Sequence, residues 1–387
     1  MPAECVGLDI GSSAVKAVVL KIGRKGTELM SFGIEPLPPQ TIVDGMIMDQ
    51  GAIVDAIVRL KTTLGIKIKA TATAISGHSV IVKKIQLPVI SAEELAEQIP
   101  IEVEQHFPFK RDEVDIDYQI VSPAGGREGA RGRKRDGKDS KDGKDGKDSG
   151  GGNGLMDVIL VAAKKEIIAD YMQVVRDAKL EPAVLDVAAF TIQNAFEAGY
   201  GDPAIHGNIG LFHVGNALTH INILSSGVSV FARDVTVGGA AFTEEIQRRL
   251  HVNYEAAEAF KLALGDPGAA DAAAAGLAAG VPPAVADILN EVADGAAGKL
   301  QRSLDFFLAS GPEFALSKIY LSGGSAHVTG LVRAMAARSK IPVEILDPFR
   351  RTTIDARRLD ELFVKHHAAE AAVAYGLALR SPGDAPR

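Results

Sequence analysis

The chain has 387 residues, 47% of them hydrophobic, which is enough to bury the cores of two or more domains. A formal net charge of −7 and the lack of tryptophan argue against a nucleic-acid-binding protein with a basic, aromatic face. The single cysteine, Cys5, excludes an internal disulfide. No apolar run is long enough to span a membrane and no basic-then-apolar leader opens the chain, so we expect a cytoplasmic protein.

Residues 6–20 predict a β-hairpin, because β-branched apolar residues flank a short turn on both sides. The turn consists of Gly11, Ser12 and Ser13. Its glycine lets a bound group approach the backbone, and its serines leave N–H groups and hydroxyls open to an anion such as a phosphate. Asp9 lies at the mouth of the turn, where Mg²⁺ held through its waters would satisfy the carboxylate, and Lys16 returns within reach of the same phosphates. A plain surface hairpin, with Asp9 as a turn-start residue, is the alternative.

The hairpin recurs in the second half of the chain. Residues 9–20 align without a gap with residues 213–224, and each copy follows an apolar run. The second turn consists of Gly215, Asn216 and Ala217. Two related hairpins in separate halves predict two similar lobes that clamp one phosphate group between them.

A different unit begins at residue 87, where Ser91 and Glu94 predict a capping box at the start of a helix. The composition then changes abruptly at residues 125–154, which contain no apolar residue beyond one alanine. Such a segment cannot bury enough surface to order itself, so we expect an inserted disordered loop between two strands that pair as a hairpin. A nucleic-acid-binding tail built on residues 131–135 is the alternative.

Two glycine turns follow the second hairpin. They are Gly238-Gly239 and Gly323-Gly324-Ser325. A glycine-rich turn between a strand and a helix places backbone N–H groups at the helix start, where they favour an anion or a polar ring edge. One glycine pair is weak support, but its position after two phosphate hairpins strengthens the prediction.

This order of motifs resembles that of the actin-like ATPase superfamily, which includes actin, FtsA and MreB. Within the superfamily the sequence resembles the PilM family, the cytoplasmic actin-like proteins of the type IV pilus inner-membrane assembly platform. The closer match rests on residues 7–16, 102–109, 115–118, 185–187, 194–197 and 321–325. The resemblance implies an α/β actin-like ATPase fold, with two related lobes, a nucleotide cleft and an FtsA-like inserted subdomain IC.

The resemblance also implies the subdomain boundaries. Subdomain IA takes residues 1–86 with 185–200 and the C-terminal helix, and IC takes residues 87–184 with the insert at 125–154. Subdomain IIA takes residues 201–231 and 319–370, and IIB takes residues 232–318.

By resemblance, ATP and Mg²⁺ are the cofactors. Asp9, Gly11, Ser12, Ser13 and Lys16 are expected to serve the phosphates and Mg²⁺, with Asp9 acting through water. Gly215, Asn216 and Ala217 are expected to form the opposite wall, and Gly323, Gly324 and Ser325 to meet the adenosine. Glu258 and Lys261 resemble a Glu-x-x-Lys pair that lines the nucleoside, with an exposed helix face as the alternative. Gly238 and Gly239 complete the predicted cofactor-binding set.

One position departs from the family pattern. The second hairpin normally opens with an aspartate that helps to hold the waters of Mg²⁺, and here the position is His213. Imidazole is a poor replacement because Mg²⁺ prefers oxygen ligands, so we expect ATP hydrolysis to be slow or absent. Asp186 resembles in position the acidic residue of heat-shock chaperone relatives and is the candidate catalytic residue for orienting a water. A helix N-cap is the alternative role for Asp186.

The resemblance implies a partner as well. FtsA-like proteins end in an amphipathic membrane helix, whereas residues 371–380 predict a helix of small residues, so we expect no direct membrane anchor. The family's partner is the cytoplasmic N-terminal segment of PilN, which binds a groove between IA and IC, and other pilus platform and motor proteins join the assembly. We therefore expect an ATP-binding scaffold peripheral to the inner membrane, required for pilus biogenesis and twitching-type motility. The alternatives are a hydrolysing ATPase, a sugar or acid kinase, and a self-polymerising filament protein.

Overall fold

Two compact units make up the part of the chain that the computed structural model describes, which is residues 5–24, 26–123, 154–265, 280–309 and 315–384. The larger unit combines the chain up to Ile81 with the chain from Ala163 onward, and the smaller unit runs from Val82 to Ala162. Residues 125–153 of the predicted insert lie outside the described residues.

The described part of the chain contains both strands and α-helices. The strands are β1 (Val6–Ile10), β2 (Ala14–Gly23), β3 (Gly26–Pro36), β4 (Ile42–Val43), β5 (Met46–Ile47), β6 (Ala70–Ile75), β7 (Val80–Pro88), β8 (Val114–Pro123), β9 (Leu155–Lys164), β10 (Glu181–Val187), β11 (Ile209–Val214), β12 (Thr219–Ser225), β13 (Val228–Val235), β14 (Lys318–Ser322), β15 (Val343–Ile345) and β16 (Thr352–Ile354). The helices are α1 (Gln50–Thr63), α2 (Ala92–His106), α3 (Lys165–Asp177), α4 (Ala188–Tyr200), α5 (Ala240–Leu250), α6 (Tyr254–Gly265), α7 (Ala284–Leu308), α8 (Leu331–Ser339), α9 (Glu361–His366) and α10 (Ala372–Ala378).

The larger unit contains two sheets built on the same plan. One has the order β10-β6-β1-β2-β3-β16 and the other has the order β13-β12-β11-β14-β15. In each sheet an antiparallel hairpin is joined by a parallel strand at the side of its first strand, β6 beside β1 and β14 beside β11. The predicted pair of related lobes is therefore confirmed at the level of strand order.

Helices α4 and α10 supply the core between the two sheets. Their side chains form one buried cluster with Cys5 and with residues of both sheets, including Ala72 of the first and Leu211 of the second. A Cβ atom at Gly376 of α10 would lie 1.9 Å from the carbonyl oxygen of Thr191, so the close approach of the two helices requires glycine there. The buried Cys5 fits the expected role of a core thiol.

The smaller unit contains a three-stranded sheet in the order β7-β9-β8 and helix α2. The predicted capping box begins this helix, because the Glu94 N–H donates to Ser91 Oγ at 3.2 Å and the Ser91 N–H donates to the Glu94 carboxylate at 3.0 Å. The strands on either side of the insert are neighbours, as predicted. Strand β10 pairs with β6 of the first sheet, and side chains of α3 pack in the same buried cluster as those of β1. The subdomain boundaries stay a prediction.

Candidate functional site

The first hairpin places a buried ion pair at the end of β1. Asp9 on β1 lies opposite Lys16 on β2, and the ammonium of Lys16 is 3.1 Å from the carboxylate of Asp9. The turn is closed by the Gly11 N–H, which donates to the carbonyl of Ala14 at 3.1 Å. Ser12 is half-buried and Ser13 is exposed, so the predicted phosphate-binding turn is accessible to solvent.

Lys16 carries a positive charge in spite of its burial. Only 8% of the residue is exposed, and burial alone would favour the neutral amine. The carboxylates of Asp9 and Glu370 outweigh that effect and raise the pKa of Lys16. Glu370 precedes α10 and bonds Nδ1 of His367 at 2.8 Å. Lys16 is thus a charged ammonium that pairs with Asp9 and is further stabilised by the negative charge of Glu370.

The second hairpin repeats this backbone with different side chains. Its turn is closed by the Gly215 N–H, which donates to the carbonyl of Leu218 at 2.9 Å. His213 on β11 lies opposite His220 on β12, as Asp9 lies opposite Lys16. The two imidazole rings are stacked, with centroids 5.9 Å apart and an interplanar angle of 17°. The alignment made from the sequence is therefore confirmed down to the register of the paired side chains.

The surroundings of the two stacked histidines shift their pKa values in opposite directions. The pKa of His213 lies well below its usual value because the ring is buried and because His220 and Lys16 add positive charge nearby. His213 Nδ1 lies 3.0 Å from the hydroxyl of Ser322. Burial also opposes a charge on His220, but Asp234 and Asp9 outweigh it and raise the pKa of His220. The surroundings therefore favour the neutral form of His213 and the protonated form of His220.

Asp234 joins the second hairpin to the first lobe. Its Oδ1 accepts a hydrogen bond from Nδ1 of His220 at 2.7 Å, and its Oδ2 accepts one from the N–H of Gly77 at 2.5 Å. Gly77 lies between β6 and β7, and the neighbouring His78 Nε2 is 3.5 Å from Thr236 Oγ1. Although burial acts in the opposite direction, the charge of His220 and these hydrogen bonds lower the pKa of Asp234. Asp234 thus links the second hairpin to the Gly77 turn of the first lobe.

The predicted glycine turns line the same hairpin. The Gly239 N–H donates to the carbonyl of Gly215, and the Ala240 N–H donates to the carbonyl of Asn216, both at 2.9 Å. Gly238 approaches the backbone of residues 215 and 216, and Ala217 is half-buried at the turn. Ser325 Oγ donates to the carbonyl of Gly215 at 3.0 Å. The second turn, the start of α5 and the segment after β14 therefore form one wall.

Gly323 holds the last turn against that hairpin. Its φ is +93°, and a Cβ there would lie 2.4 Å from the carbonyl oxygen of Val214, so glycine is required on both grounds. The Gly323 N–H donates to the carbonyl of Ala369 at 2.7 Å. A Cβ added to Gly324 would contact the carboxyl group of Glu370 at 3.5 Å. Glu370 is therefore shared between this turn and the Lys16 ammonium of the first hairpin.

Glu258 and Lys261 form a buried polar triad with Thr243 of α5. The Lys261 ammonium is 2.7 Å from the Glu258 carboxylate and donates to Thr243 Oγ1 at 2.9 Å. The Thr243 hydroxyl donates in turn to the Glu258 carboxylate at 2.6 Å. Lys261 is only 5% exposed, and its ammonium lies 3.5 Å from a Cβ built on Gly239. This arrangement differs from an exposed helix face, because the ammonium of Lys261 lies next to the Gly238-Gly239 turn.

The sequence of the whole chain was compared with known protein families. The model described as type IV pilus assembly protein PilM matches residues 7–131 and 147–382. This chain belongs to the PilM family. A solved structure described as the PilM-PilN type IV pilus biogenesis complex is similar over 98% of this chain and 99% of that chain, with a TM-score of 0.79 and 25% identity.

The fold extends to more distant structures. The ethanolamine utilization protein EutJ from Carboxydothermus hydrogenoformans is similar over 98% of this chain and 90% of that chain, with a TM-score of 0.53 and 13% identity. Identity at this level reports the fold alone. Together with the two sheets of matching strand order, these similarities confirm the predicted actin-like α/β fold for this PilM-family chain.

Asp186 has partners that bear on its predicted role. Its Oδ1 accepts a hydrogen bond from the N–H of Val187 at 2.7 Å, and its Oδ2 is 3.3 Å from the guanidinium of Arg380. Val187 occupies the N-cap position of α4, so Asp186 lies one residue before the cap. Orientation of a water by Asp186 stays a prediction.

Four contributors to the site were missed from the sequence: His220, Asp234, Thr243 and Glu370. His220 had a usable signal, because the alignment of the two hairpins places it in the position of Lys16. The other three had none, because each reaches the site from an element whose position depends on tertiary packing.

No described helix of this PilM-family chain is both long enough and apolar enough to cross a bilayer.

Proposed function

We propose that this PilM-family chain is an ATP-binding scaffold of the type IV pilus assembly machine. The observation that carries the proposal is the pairing of two hairpins whose turns are closed by the same hydrogen bond, each with a buried basic side chain beside its turn. Lys16 supplies the cation of the first hairpin and His220 that of the second. Two cations and two accessible turns suit the phosphate chain of a nucleotide.

The residues present suit ATP better than they suit a tightly ligated metal ion. Among the described residues there is no group of three or more His, Cys, Asp or Glu side chains that could hold a metal. Mg²⁺ tolerates such a site, since it keeps several of its waters and takes its remaining oxygen ligands from the phosphates of the nucleotide and one or two carboxylates. Asp9 is then the residue that would hold those waters. Gly323, Gly324 and Ser325 would meet the nucleoside, with Lys261 and Glu258 behind them.

ATP would be held with slow or no hydrolysis. Hydrolysis in this fold needs charge compensation at the terminal phosphate and an oriented water. His213 is neutral, so it offers neither the carboxylate oxygen that Mg²⁺ prefers nor a positive charge. Occupancy of the cleft, rather than turnover, is then the signal that the scaffold transmits.

The partner proposed for this chain is the cytoplasmic N-terminal segment of PilN. The solved PilM-PilN complex, 25% identical and similar over 98% of this chain, supports this proposal. Attachment through PilN would place the protein in the cytoplasm at the inner membrane and bring it to other platform and motor proteins. The division of the chain into subdomains IA, IC, IIA and IIB is part of the same proposal.

A binding experiment tests both parts together. A labelled peptide with the N-terminal cytoplasmic sequence of the PilN from the same organism is titrated with the full-length protein, with and without Mg²⁺-ATP. Fluorescence anisotropy should report saturable binding that is tighter with ATP, and a scrambled peptide should not bind. Equal weak binding of both peptides would contradict the assignment of PilN as the partner.

A further inference from the structure

The turn around Gly77 in the first lobe contacts the second lobe beside the second hairpin. The Gly77 N–H donates to Asp234 Oδ2 at 2.5 Å, and His78 Nε2 lies 3.5 Å from Thr236 Oγ1. Leu218, the residue after the second turn, has its Cδ1 3.5 Å from a Cβ built on Gly77. With a φ of +89°, Gly77 also has a backbone conformation that favours glycine. This turn therefore ties the first lobe to the end of β13 and to the second turn.

Asp234 is held in place for its bond to Gly77. Its other oxygen accepts a hydrogen bond from His220 Nδ1 at 2.7 Å, and the side chains of Asp234 and His220 are only 18% and 11% exposed. Hydrogen bonds to an ionised carboxylate are shorter and stronger than those between neutral groups, and partial burial strengthens them further. The contact between Asp234 and Gly77 is therefore strong although it consists of one hydrogen bond.

The lobes are joined differently at α4 and α10. There the Gly323 N–H donates to the carbonyl of Ala369 at 2.7 Å, and the buried Asn222 side chain donates to the carbonyl of Ala189 at 2.9 Å. These bonds accompany the buried cluster that α4 and α10 form with both sheets. A packed core of this kind persists while the lobes move and acts as a hinge, whereas the hydrogen bond at the Gly77 turn can break and form again.

We propose that the Asp234–Gly77 bond is a latch across the cleft between the two hairpins, and that its opening sets the rate of nucleotide exchange. The latch rests on the proposed function, because it regulates passage into the cleft where ATP is proposed to bind. Both of its partners belong to the protein, so the bond stabilises the closed cleft with or without a nucleotide. Such a contact changes the rates of entry and release by the same factor and leaves the affinity unchanged.

Asp234→Asn opens the latch with little change of side-chain shape. The amide has one acceptor oxygen and its nitrogen donates, so it cannot accept hydrogen bonds from both His220 and Gly77. Loss of a charge-assisted hydrogen bond corresponds to roughly a 10- to 100-fold change in a rate or equilibrium constant. The variant should therefore open more often, and nucleotide should both enter and leave faster.

The matched control is Asp157→Asn in the smaller unit. Asp157 pairs with Lys84 at 2.8 Å and accepts a hydrogen bond from Gln86 at 3.0 Å. Its side chain is 20% exposed, close to the value for Asp234. The control therefore loses comparable bonds from a carboxylate of similar burial and leaves both hairpins and the Gly77 turn intact.

The test measures association and dissociation of a fluorescent ATP analogue by stopped flow, with Mg²⁺ and the full-length proteins. Dissociation is followed after addition of excess unlabelled ATP. We expect Asp234→Asn to raise both rate constants by roughly 10- to 100-fold, with Kd changed less than about twofold. Asp157→Asn should leave both rate constants and Kd unchanged.

Three outcomes overturn the latch. Equal rate constants in wild type and Asp234→Asn would show that the bond does not limit exchange, although ATP binding itself would stand. Faster dissociation with an equal loss of affinity would show that Asp234 acts on the bound nucleotide instead. If wild type binds no nucleotide, the proposed function fails and the latch has no nucleotide to control.

A measurement on wild type alone depends neither on the folding of a variant nor on nucleotide binding. Amide hydrogen exchange of the Gly77 turn is followed in the full-length protein without nucleotide. We expect the Gly77 amide to exchange roughly 10- to 100-fold more slowly than in an unstructured peptide, because the latch must open before exchange. Exchange at the rate of the unstructured peptide would show that the latch does not form and would overturn the proposal.

Discussion

Asp9 faces Lys16 in the first hairpin, whereas His213 faces His220 in the second, although both hairpins share one register and one turn bond. The first hairpin satisfies its cation locally, with a carboxylate on the neighbouring strand. The second takes its carboxylate from Asp234 on β13, which also bonds the other lobe. The same backbone therefore supports an ion pair between its own two strands in one lobe and a carboxylate-mediated contact to the other lobe in the second.

The largest expected effect follows from breaking the first pair. Lys16→Met should lower the free energy of unfolding by about 3–5 kcal/mol, because it leaves the carboxylate of Asp9 buried without its cation. Lys21→Met is the matched control on the same strand, since Lys21 pairs with Glu28 at 3.2 Å with a side chain that is 60% exposed. Urea denaturation should give a change of at most about 1 kcal/mol for the control. Equal changes in both variants would show that the Asp9–Lys16 pair has no special role.

Replacing His213 with aspartate, the residue that occupies the equivalent position in the first hairpin, should increase the rate of ATP hydrolysis. His213→Asp supplies a carboxylate opposite Asp9, and we expect ATP hydrolysis to rise by on the order of 10- to 100-fold. His213→Asn is the control, because it removes the imidazole without adding an anion. Phosphate release is measured under Mg²⁺-ATP saturation. A His213→Asp protein that binds Mg²⁺-ATP yet hydrolyses it no faster than wild type would rule out His213 as the cause of slow turnover.

The pH dependence of stability should distinguish the second hairpin from the first. The pKa of His220 is raised above 6.5, so its stabilising contribution is complete below pH 6.5 and is lost as the pH rises through its value in the folded protein. His220→Asn should therefore cost about 1.5–3 kcal/mol at pH 6 and less at high pH. Urea unfolding of wild type and variant across this range measures the difference. A cost that does not change with pH would contradict a charged His220.

The smallest expected effect concerns the other ring, and its sign is opposite. The pKa of His213 lies well below 6.5, so the unfolded chain binds a proton that the folded protein does not, and wild type loses stability as the pH falls below 6.5. His213→Asn should remove that part of the acid loss. The slope of unfolding free energy against pH between about pH 5 and 6.5 decides the matter. If the slope is the same in both proteins, His213 is not held neutral by its surroundings.

Much of the fold could be predicted because the first hairpin has a strong local signal. Alternating apolar residues around a glycine turn specify both strands, and the gapless second copy predicts the second sheet with its register. The capping box of α2 is equally local. In contrast, β16 is a three-residue strand that pairs with β3, and a segment so short carries no periodic pattern.

The site was predicted less completely than the fold, for a physical reason. Residues in glycine turns can be recognised from the local sequence, and the structure brings Gly215, Gly239 and Ser325 together. Asp234 and Glu370 have no such pattern, because each acts on a distant element: Asp234 bonds Gly77, and the charge of Glu370 raises the pKa of Lys16. A carboxylate that serves another lobe is identifiable only after packing is known.

The measurement that tests the central claim most directly is the identity of the nucleotide that the protein retains. The full-length protein is incubated with Mg²⁺-ATP, separated from free nucleotide by gel filtration and denatured, and the released nucleotide is identified by ion-exchange chromatography. We predict that ATP is recovered intact, because the cleft binds phosphates while a neutral His213 leaves hydrolysis unsupported. Recovery of ADP would contradict retention without turnover, and recovery of no nucleotide would contradict binding itself.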